Sequence, residues 1–296
     1  MTEAAQSIES AMRDGAGALR RAGIEAPRAE ARRLLAHALG WSREALLREA
    51  RTALDDAAIR CYQALIARRA AAEPFAYLTS EREFWSLAFE VTPATLIPRP
   101  ESETLIELAL SHATRMSYAR APHGAPRMLD LGTGSGCLLL ALLSELPEAH
   151  GIGVDVSLDA LHVAARNAAH LGLDARARFV CGSWGSMLGG RFDLIVANPP
   201  YVATRDAPSL PPDVARFEPS RALYAGPDGL AAYRALTPDL ARLLAPGGVA
   251  VLELGAGAAG SVATIAAACG LVEIERRRDL AGIERAAAFR LNATIR

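Results

Sequence analysis

The chain has 296 residues, of which 51% are hydrophobic and 22% charged, a composition typical of a globular protein with a sizeable buried core. The 32 basic and 33 acidic residues nearly cancel, which argues against a protein whose main task is to hold long stretches of nucleic acid through their phosphates. The four cysteines and six histidines show no metal-ligand spacing, so we expect neither a metal site nor a disulfide framework.

The first residues of the chain do not resemble a targeting segment. They lack the basic flank and the continuous apolar stretch of a signal peptide, and no apolar run anywhere is long enough to span a bilayer. We therefore expect a cytoplasmic protein that does not bind membranes.

The N-terminal part of the chain is predicted to be a small helical domain, residues 1–75. Helical periodicity without strand patterns covers, for example, 28–39 and 54–69, and Ser42 is placed to cap a further helix. Residues 76–100 are predicted to be a β-hairpin connector, with β segments at 83–91 and 94–97 on either side of Thr92-Pro93.

From residue 101 to residue 296, strand and helix patterns alternate, which is typical of an α/β fold with a parallel sheet. We expect the last two strands to form an antiparallel closing pair. The predicted strands lie near 127–131, 150–155, 176–180, 192–197, 248–254, 271–276 and 286–292.

A glycine loop follows the first of these strands and leads into a helix. The loop is Gly132-Thr133-Gly134-Ser135-Gly136. Its glycines allow close approach of a ligand, and the N–H groups of the helix N-terminus favour a negative group such as a carboxylate. Asp155 ends the next strand, where a carboxylate can accept both hydroxyls of a ribose. A dinucleotide site has similar features, although its usual fingerprint spaces the last two glycines further apart than Gly134 and Gly136.

The strand at 192–197 ends in Asn198-Pro199-Pro200-Tyr201, a motif that indicates methylation of a planar nitrogen. The two prolines stiffen the backbone, so that the Asn198 amide oxygen and the Pro199 carbonyl can form a fixed pair of acceptors. Such a pair can orient a poorly nucleophilic –NH2 group and stabilise the charge that develops on it, while Tyr201 stacks on its plane. The alternative is a strand-end turn in which Asn198 caps and the prolines merely break structure.

The glycine loop, the acid and the Asn-Pro-Pro-Tyr motif, in this order, resemble the class I S-adenosylmethionine-dependent methyltransferases that act on amino groups. The resemblance implies a Rossmann-like sheet, mostly parallel with an antiparallel last strand, behind a small N-terminal helical domain. It also implies that the glycine loop holds the methionine part of S-adenosylmethionine, that Asp155 binds its ribose, and that Asn198 contacts both cofactor and acceptor.

Further motifs resemble the N5-glutamine methyltransferases that modify the Gly-Gly-Gln glutamine of bacterial peptide chain release factors. These are the stretch from Phe84 through Pro98-Arg99-Pro100-Glu101 to Glu103, the segment Arg216-Phe217-Glu218-Pro219, and the turn 278–285. The resemblance implies a release factor as protein substrate, its recognition by the helical domain, and no stable binding of nucleic acid. We also expect a monomer. It further implies a catalytic role for Asn198, Pro199 and Tyr201, glutamine binding by Asn198 to Tyr201, and cofactor contacts by Gly132 to Gly136, Asp155, Trp184 and Asn198.

Three alternatives remain open on the sequence alone: an adenine-N6 nucleic-acid methyltransferase, a glutamine methyltransferase that acts on a ribosomal protein, and a cofactor-binding module without activity. The first is chemically close, because the exocyclic amine of adenine has almost the outline of a glutamine amide; such enzymes usually carry a basic recognition region, and none is visible. Two further assignments stay open.

Arg99 and Glu101 can line the acceptor pocket or begin a helix. Glu253 can be a buried acid near the cofactor or a strand-end residue. The long segment 202–229 is predicted to cover the acceptor.

Overall fold

The computed structural model describes residues 6–114 and 125–292. The chain divides into two compact units, one formed by residues up to Ser80 together with Pro211–Phe217, the other by Glu81–Leu210 and the remainder from Glu218. Within the described ranges, no helix is both long and apolar enough to cross a membrane.

The first unit is helical, and its helices begin where the sequence supplies a cap. The side chains of Ser7, Ser42 and Asp55 each accept a backbone N–H in the first turn of the helix that follows, as the residue types favour. Its core is formed by buried aliphatic side chains that include Ile8, Leu19 and Leu35. The helices are α1 (Ile8–Arg21), α2 (Pro27–Leu39), α3 (Arg43–Arg48), α4 (Asp56–Ala70), α5 (Phe75–Thr79) and α9 (Pro212–Phe217).

The second unit begins with an antiparallel hairpin of β1 (Glu81–Phe84) and β2 (Leu87–Glu90). The predicted position of the turn, at Thr92-Pro93, is wrong: the chain reverses at Trp85-Ser86, and the segment 94–97 is not a strand. Both turn residues have positive φ, 52° and 58°, which matches the twist of a two-residue hairpin turn without the Asn-Gly residues that usually announce it.

The remaining strands form one seven-stranded sheet, mostly parallel, in the order β5-β4-β3-β6-β7-β9-β8. The strands are β3 (Arg127–Leu131), β4 (His150–Asp155), β5 (Ala177–Cys181), β6 (Phe192–Ala197), β7 (Leu244–Glu253), β8 (Leu271–Arg278) and β9 (Glu284–Leu291). All seven predicted strands are present within a few residues of the expected bounds, and β8 and β9 form the predicted antiparallel pair. Strand β9 also pairs antiparallel with β7, so it lies between β7 and β8 rather than at the edge.

Helices cover both faces of this sheet, because alternate residues of its strands point to opposite sides. Leu194 and Val196 of β6 pack in one core cluster and Ile195 in the other. The first cluster includes side chains of α6 (Glu103–Ala113), α7 (Cys137–Glu145) and α8 (Leu158–His170), and the second includes side chains of α10 (Ala231–Leu243) and α11 (Ala259–Ala268). The fold is therefore the expected Rossmann-like α/β sheet.

Candidate active site

A cavity of about 150 Å³ lies at the carboxyl ends of the parallel strands. Strand β3 has β4 on one side and β6 on the other, so the order of strands reverses between β3 and β6, which is where open α/β sheets bind ligands. The residues that follow β3, β4, β5 and β6 all contribute to the lining. Of the predicted site residues, the cavity is lined by Gly132, Thr133, Gly134, Ser135, Asp155, Trp184, Asn198 and Pro200.

Three predicted site residues do not line this cavity. Gly136 begins helix α7 with a φ of 82°, and its N–H donates to the Thr133 carbonyl, so it shapes the glycine loop from behind. Pro199 is buried, and the Tyr201 ring packs against Gly255, where an added Cβ would lie 3.2 Å from the ring. The contacts predicted for these three residues therefore stay predictions.

The glycine loop is fastened to the neighbouring strand. The N–H groups of Gly132 and Thr133 both donate to the Val154 carbonyl, at 2.8 and 2.9 Å. The N–H of Gly134 donates to Asp155 Oδ2 at 3.0 Å. Three loop N–H groups, those of Gly132, Thr133 and Gly134, are thus bonded within the protein and do not need a ligand as acceptor.

Asp155 keeps acceptor capacity after its internal hydrogen bonds are counted. Its Oδ2 accepts from the Gly134 N–H, and its Oδ1 accepts from the Ser157 N–H at 2.9 Å. A carboxylate has about four lone-pair sites, so each oxygen can accept one more hydrogen bond. The predicted pairing of Asp155 with two ribose hydroxyls is therefore compatible with its geometry.

Trp184 is half-buried and lines the cavity beyond β5. Its backbone is in the left-handed region, with a φ of 49°, which is uncommon for a bulky residue and fixes the direction of the indole. The ring lies 3.5 Å from the position of a Cβ added to Gly132, so it sits beside the glycine loop. An aromatic face in this place can stack on a planar base.

Asp130, which the sequence analysis did not single out, supports the glycine loop from behind the cavity lining. The carboxyl is completely buried at the end of β3 and accepts from Thr133 Oγ1 at 2.7 Å, and burial raises its pKa to about 7. Among the described residues, its Oδ1 and the buried Ser135 Oγ form no hydrogen bond with the protein. An acid inside an otherwise apolar strand was the signal that could have identified it.

Asn198 is held by a hydrogen bond from its amide Nδ2 to Ser102 Oγ, 3.3 Å away. The same Ser102 hydroxyl donates to Glu253 Oε2 at 2.5 Å, and Tyr201 donates its hydroxyl to Glu253 Oε1 at 3.3 Å. Ser102 and Glu253 are both buried. Burial raises the pKa of the Glu253 carboxyl to about 7, against the opposing effect of the Ser102 hydrogen bond, and burial together with the charge of Glu253 raises the pKa of the Tyr201 hydroxyl.

One wall of the cavity carries an ion pair. Arg99 lines the cavity and bonds Glu218 at 2.5 Å, while Glu218 also accepts the N–H of Ile97 at 3.2 Å. Glu103, the first residue of α6, accepts the N–H of Trp85 at 2.9 Å. From the segment predicted to cover the acceptor, Pro219, Arg221 and Ala222 reach the cavity lining.

The sheet order, the glycine loop and the acid after β4 define a class I methyltransferase domain. A family model described as a methyltransferase domain matches residues 122–256, and one described as the PrmC N-terminal domain matches residues 10–79. Relatives named release factor glutamine methyltransferase are 44% identical in Rhodospirillum rubrum (94% of this chain, 83% of the relative) and 47% identical in Burkholderia pseudomallei (88% and 91%). The chain belongs to the release factor glutamine methyltransferase family, and it is an enzyme of the methyltransferase class.

A solved structure with the same sheet is the hMettl16 catalytic domain in complex with MAT2A 3'UTR hairpin 6. It aligns over 76% of this chain and 81% of its own with a TM-score of 0.56 and 17% identity. At that identity the likeness supports the fold alone.

Proposed function

We propose that this enzyme transfers a methyl group from S-adenosylmethionine to the side-chain amide nitrogen, N5, of the glutamine in the Gly-Gly-Gln motif of bacterial peptide chain release factors. The observation that carries the proposal is Asn198, which lines the cavity directly after β6 and whose amide is held by Ser102. Membership of the release factor glutamine methyltransferase family supports the choice of substrate.

The residues around the cavity fit S-adenosylmethionine, which when bound supplies an electrophilic methyl group. Asp155 has an acceptor site left on each oxygen for a ribose, and the Trp184 ring offers a face for the adenine. Near the glycine loop, the buried oxygens Asp130 Oδ1 and Ser135 Oγ have no partner within the described part of the protein, so a polar ligand there would satisfy them.

In this proposal Asn198 and Pro199 orient the glutamine amide. The Asn198 Oδ1 and the Pro199 carbonyl each accept one proton of the –NH2 group, which turns the nitrogen towards the methyl donor and stabilises its developing positive charge. The proton becomes acidic only as that charge develops, so no strong base has to act on the neutral amide. The stacking of Tyr201 on the amide plane remains part of the proposal.

The helical unit would recognise the release factor, and the enzyme would act as a monomer. The PrmC N-terminal domain model, which covers residues 10–79, supports a family-specific role for this part of the chain.

A labelling experiment tests the proposal. The purified chain is incubated with S-adenosylmethionine labelled in the methyl group and with intact release factor, and label is expected in the release factor. A release factor in which the Gly-Gly-Gln glutamine is replaced by alanine should remain unlabelled.

Ribosomal proteins and adenine-containing DNA serve as competing acceptors in the same assay. Label in DNA, or label in a ribosomal protein but not in the release factor, would overturn the proposal.

A further inference from the structure

Ser102 and Glu253 lie far apart in the sequence but next to each other and to the acceptor motif in the fold. Ser102 closes the 3-10 turn Pro100–Ser102 that precedes α6, and Glu253 is the last residue of β7. Their side chains are 3% and 1% exposed, and the Ser102 hydroxyl lines the same cavity as Asn198. The hydrogen bonds run from Asn198 to Ser102 to Glu253, and from Tyr201 to Glu253.

The direction of this chain of hydrogen bonds follows from the number of protons. Burial raises the pKa of Glu253 to about 7, and above that pH its ionised carboxylate can only accept. A serine hydroxyl has one proton, and Ser102 donates it to this carboxylate over a short distance of 2.5 Å. Towards Asn198 the hydroxyl can therefore only accept, and the Asn198 amide must turn its –NH2 end to Ser102. The other end of the amide, Oδ1, is thereby the end that remains to accept a hydrogen bond from a substrate.

The flipped amide would meet a penalty. With Oδ1 turned to Ser102, two acceptors would face each other without a proton between them, in a buried part of the protein where an unpaired polar group is destabilising. The orientation with Nδ2 towards Ser102 is therefore the favoured one.

A purely structural role explains the acid poorly. A buried carboxylate is costly, and an uncharged residue of similar volume is often as stabilising or more so. Glu253 nevertheless occupies a site where burial raises its pKa. One of its oxygens accepts from Ser102, which bonds Asn198, and the other accepts from Tyr201. A carboxylate can accept with both of its oxygens, whereas an amide has one accepting oxygen and one donating –NH2 group.

We infer that Ser102 and Glu253 are positioning residues for methyl transfer, which fix the Asn198 amide with Oδ1 towards the acceptor and hold Tyr201 by its hydroxyl. The inference rests on the proposed function, because it assigns Asn198 Oδ1 to the substrate –NH2 group. Neither residue has to touch the substrate.

The test is made at about pH 8.5, where Glu253, with a pKa of about 7, is ionised. It compares Ser102→Ala, Ser102→Thr and Glu253→Gln by kcat for release factor methylation and by the Kd for S-adenosylmethionine from calorimetry. Ser102→Ala removes the fixed acceptor, and we expect kcat to fall about tenfold to a hundredfold, as for a slightly misplaced catalytic group. The Kd should stay within about threefold, since the loop and Asp155 are untouched. Ser102→Thr keeps the hydroxyl and should retain most of kcat.

Glu253→Gln separates orientation from packing. The glutamine has the same shape but can donate to Ser102. The serine proton then turns towards Asn198 and favours the flipped amide, so kcat should fall although the fold is kept.

Because both residues act through the Asn198 amide, the double variant should be no slower than the slower single variant. Ser111→Ala is the matched control, because Ser111 lies on the helix that follows Ser102. Its hydroxyl donates to the Leu108 carbonyl of that helix and forms no other hydrogen bond within residues 6–114 and 125–292.

The outcomes distinguish this inference from the proposed function. If wild-type chain methylates the glutamine but Ser102→Ala and Glu253→Gln keep kcat within about twofold, the inference is wrong and the proposed function stands. A parallel loss of kcat, cofactor affinity and melting temperature in Ser102→Ala would also overturn it, as this is the pattern of a structural role. If the wild-type chain labels no glutamine, both fail together.

Discussion

Two buried acids lie behind residues that line the cavity, each hydrogen-bonded to one of them, Thr133 or Ser102. The Asp130 carboxyl accepts from Thr133 of the glycine loop, and the Glu253 carboxyl accepts from Ser102 and Tyr201. Burial raises the pKa of each carboxyl to about 7. Both sit at the carboxyl ends of strands, where the sheet offers apolar surroundings and few compensating donors. Each acid costs stability at neutral pH, which is expected of residues kept for function rather than for packing.

For Glu253 this cost has a definite pH dependence. In the unfolded chain the carboxyl ionises near its ordinary pKa of 4.5, whereas in the folded protein it keeps its proton until about pH 7. Between these values the folded state binds more protons, so its stability is complete below pH 4.5 and is lost as the pH rises towards 7.

We expect the unfolding free energy of the wild type to fall, relative to Glu253→Gln, across this window, with a slope of at most about 1.4 kcal/mol per pH unit. Urea unfolding at several pH values measures it. The contribution of Asp130 is common to both proteins and cancels. A difference that does not change with pH would show that Glu253 ionises normally in the folded protein.

At the scale of elements, the segment after the acceptor motif is fixed by close backbone contacts. Val202 forms a parallel bridge with Tyr224, and the N–H of Thr204 donates to the Gly226 carbonyl at 2.8 Å. Gly229 then passes so near the motif that an added Cβ would lie 2.5 Å from the Tyr201 carbonyl oxygen. The start and end of this segment therefore set the position of Tyr201.

Gly229→Ala is expected to disturb the acceptor side, and Gly257→Ala is its matched control. Both glycines have a φ of 75°, so both variants carry the strain of a left-handed alanine, roughly 1–2 kcal/mol. Only at Gly229 is there a clash, since nothing lies within 4 Å of a Cβ at Gly257.

Gly229→Ala should therefore lose about 1–3 kcal/mol more unfolding free energy than Gly257→Ala, and its kcat should fall while the control keeps most of its activity. Urea unfolding and the labelling assay measure the two effects. Equal losses in both variants would mean that the backbone contact at Tyr201 is easily relaxed.

Much of the cavity lining could be predicted, because it consists of short runs of consecutive residues at the ends of strands. The glycine loop and Asp155 were predicted from their places at the ends of strands, and the seven strands from the alternation of strand and helix patterns along the chain. The pairing of Ser102 with Glu253 could not be found in this way, since 151 residues separate them and the meaning of their contact lies in the direction of a proton. The hairpin turn was misplaced because Pro93 is a strong turn signal, whereas Trp85 and Ser86 are unusual residues at positive φ.

At the scale of the whole molecule, the residues that line the cavity and the residues of the helical unit belong to separate parts of the chain. Every residue that lines the cavity belongs to the second unit, and the helical unit has a core of its own. Loss of stability in the helical unit should therefore affect the protein substrate before it affects the cofactor.

Leu35→Ala tests this separation. Leu35 is fully buried in α2, and truncation of a buried leucine costs about 2–5 kcal/mol. We expect the KM for intact release factor to rise while the Kd for S-adenosylmethionine is unchanged. Leu129→Ala, equally buried but in β3, should weaken cofactor binding as well. If Leu35→Ala methylates release factor with the wild-type KM, the helical unit does not recognise the substrate.

The fastening of the glycine loop to β4 has a further consequence for turnover. Because the loop N–H groups are bonded to Val154 and Asp155, this half of the cavity is formed before any ligand arrives. In the proposed function, the parts of the cofactor that the loop, Asp155 and Trp184 contact are the parts that methyl transfer leaves unchanged. The demethylated product should then be retained about as strongly as the cofactor, so that the enzyme is sensitive to the ratio of the two in its surroundings and not only to the supply of release factor.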